Sequence, residues 1–454
     1  MEYSLTSQFL EGLFAGMNKS GINYCVLRNY EKLPFSIGHD LDCLVDSKNA
    51  DKVSSLILRL SQELGWVLFR HRNKDKLLSF IFYNPNDSMN DILWIDIYHP
   101  VNFRGMPLIP EEFFLNNRVS FDNFFIPAPG CEAALTLSKE LLGEGGVKLR
   151  DREKVYAKAK DDPERFLSVL SFSFGKKQAN KLLELIYSRE WETFGELRGS
   201  LALKLIINSL KRNPVTQVVS WLRYLKDVFY ERMLSPMGFF LVLIGPDGVG
   251  KSSVSERLLS DARETFDGCK IYHFRPSILP ELRTLWSWVK ERFSLKRRSV
   301  DTKEMKIHDK NFSAAKSKLF WFIRILYYTI DFMLGYLPIR YEKGKGKLVI
   351  FDRYYYEYFI QQSNSRMYKL MLFILSRFVP KPDAVVYLTD SPVNIYKRKQ
   401  ELSQEEIQRQ SHLYEEIINR LPNGRKVLVD SGLDTTVERV KKVICEKMAK
   451  NLRK

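Results

Sequence analysis

The sequence predicts an α/β protein: a parallel sheet with helices on both faces, preceded by an α+β domain with a helical extension. Three observations predict it. The stretch from Phe239 to Leu259, FFLVLIGPDGVGKSSVSERLL, carries an apolar run into a glycine-rich turn and then a helix-like run. Short apolar runs then alternate with helix-like stretches to the C-terminus, the pattern of parallel strands joined by crossover helices. Ahead of it, strand-like pieces carry Asp40 and Asp42, two residues apart, and a third acid, Asp96.

A chain of 454 residues exceeds one ordinary domain, and the segments are expected at residues 1–130, 131–235 and 237–454. Hydrophobic residues make up 45%, enough for several cores. The 71 basic against 54 acidic side chains leave a formal charge of +17, which predicts an anionic partner: nucleotide, nucleic acid, phosphosugar or membrane surface. Five cysteines lie far apart with no CxxC pair, which argues against a zinc site or disulfide framework and fits a reducing cytoplasm. The opening MEYSLTSQFLEGLF lacks the basic start and long apolar core of a signal peptide, so a cytoplasmic location is expected. Leu319 to Ile339, LFWFIRILYYTIDFMLGYLPI, is long and apolar, but Arg324 and Asp331 would be costly at mid-bilayer depth. A buried or groove-lining helix is expected there, with peripheral membrane contact as the alternative.

From Tyr24 the chain gives a short strand, YCVL, then Arg28-Asn29 and a loop through Pro34 and Gly38 to DLDCLVD. On a strand, Asp40 and Asp42 share one face. A helix is expected over Ala50 to Leu64, followed by the strands VLFR, LLSFIFY and ILWIDIYHP, the last carrying Asp96. Here the chain resembles the nucleotidyltransferase fold, in which a D-x-D pair and a third acid hold two metal ions. That resemblance implies a metal site at Asp40, Asp42 and Asp96, because two divalent ions roughly 3.5 to 4 Å apart need several carboxylates. The family carries a Gly-Ser pair upstream, where this sequence has Arg28-Asn29, so phosphate anchoring would pass to the Arg28 guanidinium. Strand-end acids of a scaffolding domain are the other reading.

Cys131 to Ile207 reads as helices, with apolar residues at three and four spacing in CEAALTLSKELL and ANKLLELIY. LRDREKVYAKAKDDPERF between them is strongly charged, either to track phosphates or as a solvated face. Asn208 to Met237 forms a basic amphipathic connector with Trp221, Leu222, Leu225 and Phe229 at helical spacing, broken by Pro236 and Gly238.

Gly245, Gly250, Lys251 and Ser252 satisfy the eight-residue P-loop pattern. Glycines at 245, 248 and 250 let backbone N–H groups approach phosphate oxygens, and the following helix adds its positive end. Lys251 is expected at the β and γ phosphates of ATP, Ser252 on Mg²⁺, and Ser253 beside them. CKIYHFRPS, KLVIFDRYYYEYF, PDAVVYLTDSPVNIYKRKQEL and KVLVDSG supply the further strands.

These motifs, in order, resemble the thymidylate kinase family of nucleoside monophosphate kinases: GPDGVGKSS for its P-loop, HFRP for its R-E-P turn, VIFDRY for its D-R-[YH], and YLTDSPVNIYKR for the strand before its lid. The resemblance implies Asp352 on the Mg²⁺ water shell, Arg353 and Arg275 on the acceptor phosphate, and Asp247 on the acceptor's sugar hydroxyl. Lys397 and Arg398 would begin a cationic lid, with Arg409 a further member, or KRKQELSQEEIQRQ is an exposed charged helix. The acid and glycines of R-E-P-G-G-T are missing, and Thr389 replaces a strand-end Asp. Residues 275–353 are long, basic from Lys290 to Lys310 and aromatic from Phe320 to Tyr336, which suggests an acceptor other than bare thymidylate.

Three functions compete: a dTMP-type nucleoside monophosphate kinase, a kinase of the same fold acting on a sugar, phosphosugar or lipid-linked glycan, and an ATP-gated regulatory or nucleic-acid-binding module. No nucleic-acid motif appears and the basic residues are dispersed, which ranks phosphotransfer first.

Overall fold

A computed structural model describes residues 4–85, 92–234, 236–262, 265–282, 284, 310–360, 366–429 and 432–452. The chain divides into two compact units, Met1–Glu231 with Met448–Lys454, and Arg232–Lys447.

In the first unit, Ser4 caps α1 (Leu5–Lys19) by accepting from the Ser7 amide, and the helix buries Phe9, Leu10, Leu13 and Met17 at three and four spacing. Then come β1 (Tyr24–Val26), β2 (Leu41–Val45), α2 (Ala50–Glu63), β3 (Val67–Lys74), β4 (Leu77–Tyr83) and β5 (Ile92–Tyr98). They form a mixed sheet in the order β1-β2-β5-β4-β3, in which β2 and β5 run parallel and the other neighbours antiparallel. This register sets Asp42 directly opposite Asp96. Asp40 lies one residue before β2, so only Asp42 of the pair is a strand residue.

Two small hairpins that the sequence reading did not contain follow, with a short helix between them. They are β6 (Val101–Phe103) with β7 (Met106–Ile109), α3 (Glu111–Leu115), and β8 (Val119–Phe121) with β9 (Phe124–Ile126). The predicted helices are α4 (Pro129–Gly143), α5 (Leu149–Asp161), α6 (Pro163–Phe174), α7 (Lys176–Tyr187), α8 (Phe194–Arg212) and α9 (Pro214–Met233). Proline in the first turn starts α4 and α6, where no intrahelical N–H is lost. Leu44 of β2 packs in the same core as Leu135, Phe166, Leu182 and Leu201, so strands and helices share one interior. The apolar stripe of α9 is exposed at Trp221, Leu222, Leu225 and Phe229, while Gln217 on the same helix is buried and donates to the Gly105 carbonyl.

The second unit runs β10 (Phe239–Ile244), α10 (Lys251–Asp261), β11 (Cys269–His273), α11 (Lys310–Leu334), α12 (Tyr336–Gly344), β12 (Leu348–Asp352), α13 (Glu357–Ile360), α14 (Arg366–Leu375), β13 (Ala384–Thr389), α15 (Pro392–Arg398), α16 (Gln404–Arg420), β14 (Gly424–Leu428) and α17 (Leu433–Leu452) as far as Lys447. Its sheet is wholly parallel, in the order β11-β12-β10-β13-β14. Every residue of β10, β12 and β13 is buried, as expected of strands covered on both faces. From β10 the chain moves first to one side of the sheet and later to the other, so the carboxyl end of β10 is a topological switch point, where such sheets bind ligands.

The expectation of a buried helix over Leu319 to Ile339 holds for one face only. α11 and α12 meet at Gly335 and bury Ile325, Phe332 and Ile339, but Phe322, Leu326, Ile330 and Leu337 are exposed. The basic run from Lys290 to Lys310 lies outside the residues whose side chains are described.

Candidate functional site

At the switch point the chain leaves Ile244, turns through Gly245, Asp247, Gly248 and Gly250, and enters α10 at Lys251. Gly245 has a φ of 150°, and a Cβ there would lie 2.4 Å from the Leu388 carbonyl oxygen. Gly250 caps α10 with a φ of 103°, a conformation glycine adopts without strain. The helix it begins has 11 residues, and its N-terminal amides and dipole favour an anion.

Lys251 Nζ donates to the carbonyls of Gly245 at 2.7 Å and Pro246 at 3.0 Å, and lies 3.6 Å from Asp247 Oδ1. Burial draws the pKa of this ammonium below the usual lysine value. β12 delivers Asp352 to the same end of the sheet, where Ser252 Oγ donates to Asp352 Oδ2 at 2.8 Å. Asp352 Oδ1 is buried and takes no hydrogen bond from a described residue. Arg353 follows with a φ of 71°, a backbone conformation that costs a residue with a side chain about 1 kcal/mol or more. Its amide donates to Leu243 O at 2.9 Å, and its guanidinium donates to Asp247 Oδ1. The fold thus gathers Asp247, Lys251, Ser252, Asp352 and Arg353, while Ser253 faces solvent on α10.

Glu357 belongs with this group and was not anticipated. It is buried at the start of α13, accepts from the Tyr414 hydroxyl at 2.7 Å, and has its pKa pushed up by burial, against the pull of Lys251 and Arg353. The available signal was a lone acid inside the aromatic run YYYEYF just after Asp352-Arg353.

Other expected residues are engaged elsewhere. Arg275 Nη1 lies 3.3 Å from both Leu279 O and Asp331 Oδ2, and its guanidinium lies 4.9 Å from the centre of the Tyr328 ring. Asp331 also accepts the Leu279 amide at 2.7 Å, so the acid that counted against a membrane span is the buried partner of Arg275. Lys397 is exposed, Arg398 donates to Asp390 at 2.6 Å, and Arg409 forks onto Glu406 of its own helix at 2.6 and 2.7 Å. Residues 397–410 are not one helix, since α15 ends at Arg398 and α16 begins at Gln404. Lys399 abuts the turn instead, since a Cβ on Gly248 would come within 2.8 Å of the Lys399 Cβ.

In the first unit, Asp40, Asp42 and Asp96 each offer an oxygen within 4.8 Å of the others. Arg28 Nε donates to Asp42 Oδ2, Arg28 Nη2 reaches Asp40 Oδ2 at 3.4 Å, and Lys139 Nζ of α4 lies 3.9 Å from Asp42 Oδ1. Burial opposes ionisation of Asp42, yet Lys139 and Arg28 outweigh it and hold its pKa below the ordinary carboxylate value. Burial raises Asp40, with the Asp42 charge adding. Asp96 accepts from Trp94 Nε1 at 2.8 Å and is pushed up to about 6 by burial. Beside the cluster opens a cleft of about 770 Å³ lined by Arg28, Asp40, Lys139, Lys148, Arg150 and Lys158, among others. An all-oxygen donor set suits a hard divalent cation. Here Arg28 already pairs with Asp40 and Asp42, and Lys139 lies near Asp42, so these two acids meet cations from the chain itself.

No family model matches the chain, and no curated protein matches it. Among solved structures, the thymidylate kinase of Candida albicans aligns at 18% identity with a TM-score of 0.32, over 47% of this chain and 93% of that one.

Proposed function

We propose that the second unit is an ATP-dependent P-loop kinase that moves the γ-phosphoryl group to an anionic acceptor of the nucleoside monophosphate type. The contact of Ser252 with Asp352 is the observation that carries this assignment. A hydroxyl just after a glycine-rich turn meets a carboxylate at the end of the neighbouring parallel strand, the pairing through which such enzymes hold Mg²⁺. Asp352 Oδ1, which takes no hydrogen bond from a described residue, and the all-oxygen set fit that ion, so Ser252 and Asp352 would hold it. When bound, Mg²⁺ supplies charge neutralisation to the phosphate oxygens.

The remaining work falls to the chain. The turn's backbone amides and the start of α10 bind the phosphates, and Lys251 exchanges its two carbonyl partners for phosphate oxygens. Buried in the site, its ammonium interacts with phosphate more strongly than it would in water. Arg353, now held on Asp247, offers the acceptor's phosphate a planar fork. In-line transfer needs little covalent chemistry from the protein beyond this positioning.

A second acceptor class is favoured by a specific observation. Arg275, assigned by resemblance to the acceptor phosphate, is committed to buried Asp331 of α11. That pairing takes Arg275 away from an acceptor phosphate and, with the long aromatic region of residues 275–353, supports an acceptor other than a mononucleotide: a sugar, phosphosugar or lipid-linked glycan. Incubating the protein with ATP and Mg²⁺ and following ADP release over dTMP, other nucleoside monophosphates, sugars, phosphosugars and lipid-linked glycans separates the two. Efficient turnover of dTMP alone supports the first; turnover only with sugar acceptors supports the second; no acceptor-dependent ADP release contradicts both.

A further inference from the structure

We propose that the exposed side of α11, α12 and α14 lies on the surface of an anionic lipid bilayer. From Phe322 to the end of α11, every exposed residue is a large apolar one: Phe322, Ile323, Leu326, Ile330, Met333 and Leu334. α12 extends this face with Leu337, which is 66% exposed, and α14 adds Leu370 and Phe373. The solvent face of a helix in a water-soluble protein is polar, and an uninterrupted apolar face of this length marks a surface that is covered.

The opposite face of α11 explains why the helix lies along a bilayer rather than across it. Ile325 and Phe332 pack into the core of the second unit, and Asp331 is fully buried against Arg275. A span would carry that ion pair to mid-bilayer depth, where ionised groups are disfavoured, whereas an in-plane helix keeps it inside the protein. The segment is long and apolar enough to cross a membrane by composition, yet its polar anchors face the protein.

Charge selects the occupant. No exposed acid lies on the described side chains of α11, α12 or α14, and the exposed charges just beyond them are cations. Arg377 lies 5.2 Å from the centre of the Phe373 ring and Lys345 lies 4.1 Å from that of Tyr341, so each cation sits on an aromatic residue of the apolar surface. Aromatic residues flanked by cations suit the headgroup layer of an anionic leaflet. A second copy of a chain carrying +17 would instead be repelled. The proposal is independent of phosphotransfer.

The test is co-sedimentation of the full chain with vesicles of phosphatidylcholine alone and of phosphatidylcholine mixed with phosphatidylglycerol. The wild type is expected to bind the anionic vesicles at least about tenfold more tightly, with the preference falling as salt rises. Leu326→Glu with Leu337→Glu, both at exposed positions, should lose vesicle binding about tenfold or more while retaining the wild-type circular dichroism and thermal transition. Lys345→Glu with Arg377→Glu should remove the anionic preference. Absence of wild-type binding to either vesicle overturns the proposal, as does unchanged binding by the leucine double variant. Sedimentation velocity showing a concentration-dependent oligomer that the leucine variant abolishes would assign the face to contact between copies, and also overturns it.

Discussion

Ser252 Oγ donates to Asp352 Oδ2 at 2.8 Å, joining the first turn of α10 to the end of β12 at the point where the sheet order reverses. If these two oxygens hold Mg²⁺, Asp352→Asn should lower ATP-dependent turnover by about 100-fold or more, since a neutral amide removes the charge that binds the ion. Ser252→Ala should act in the same direction with a smaller loss. Steady-state ADP release by variants with the wild-type thermal transition decides it, and turnover within a factor of two of wild type excludes this role for Asp352.

Arg353 is assigned to the acceptor rather than to ATP. Loss of a charge-assisted contact is worth about 1.5 to 3 kcal/mol. Arg353→Ala should therefore raise the acceptor KM or lower kcat by at least about tenfold, with ATP affinity nearly unchanged. An effect confined to ATP affinity would move Arg353 to the nucleotide side. The left-handed backbone at Arg353 adds a structural expectation: Arg353→Gly relieves strain, so it should lose activity without losing stability.

Arg275 and Asp331 form a buried pair whose two halves come from distant parts of the second unit. Asp331→Ala leaves the guanidinium without its carboxylate and should destabilise the chain by about 3 to 5 kcal/mol, read as a fall in thermal or denaturant midpoint. If Arg275 instead serves mainly to bind the acceptor, Asp331→Ala will leave stability unchanged and alter only acceptor kinetics.

The sheet of the second unit and its glycine turn were legible in the sequence because buried parallel strands read as unbroken apolar runs, and because Gly245 and Gly250 mark backbone conformations that other residues resist. The acid cluster was legible from its spacing, but not its compensation. Arg28 stands close before Asp40 in the sequence, whereas Lys139 reaches Asp42 from a helix far along the chain, which no local pattern encodes. The hairpins between Val101 and Ile126 were missed because strands of three or four residues show too little alternation. Glu357 is not legible locally, because its hydrogen-bond partner Tyr414 comes from α16, far along the chain. The apolar stripe of α11 is legible in the sequence, but its exposure is not, because periodicity shows that a face is apolar and not what covers it.

Asp96 gives a pH signature. Its folded pKa, about 6, lies above the ordinary aspartate value, so the folded chain binds this proton more readily than the unfolded one. The stability it contributes is complete below the unfolded value, near 4, and is lost as pH rises through about 6. Asp96→Asn removes that loss, so the melting temperature of the variant relative to wild type should rise between pH 4 and pH 7, by up to several degrees at about 2 to 4 °C per kcal/mol. A difference that is flat with pH would mean that Asp96 ionises normally in the fold.

The central claim, phosphoryl transfer at the turn after β10, is tested most directly with ATP labelled on its γ-phosphate. Acceptors from the ADP-release screen are incubated with wild type and with Lys251→Ala, and label in the acceptor is counted. The wild type should move label to at least one acceptor. The variant, lacking the buried ammonium that lies against the turn's carbonyls, should move about 100-fold less or lower while keeping the wild-type circular dichroism. Equal labelling by a folded Lys251→Ala protein, or no labelled acceptor with the wild type, would contradict the account.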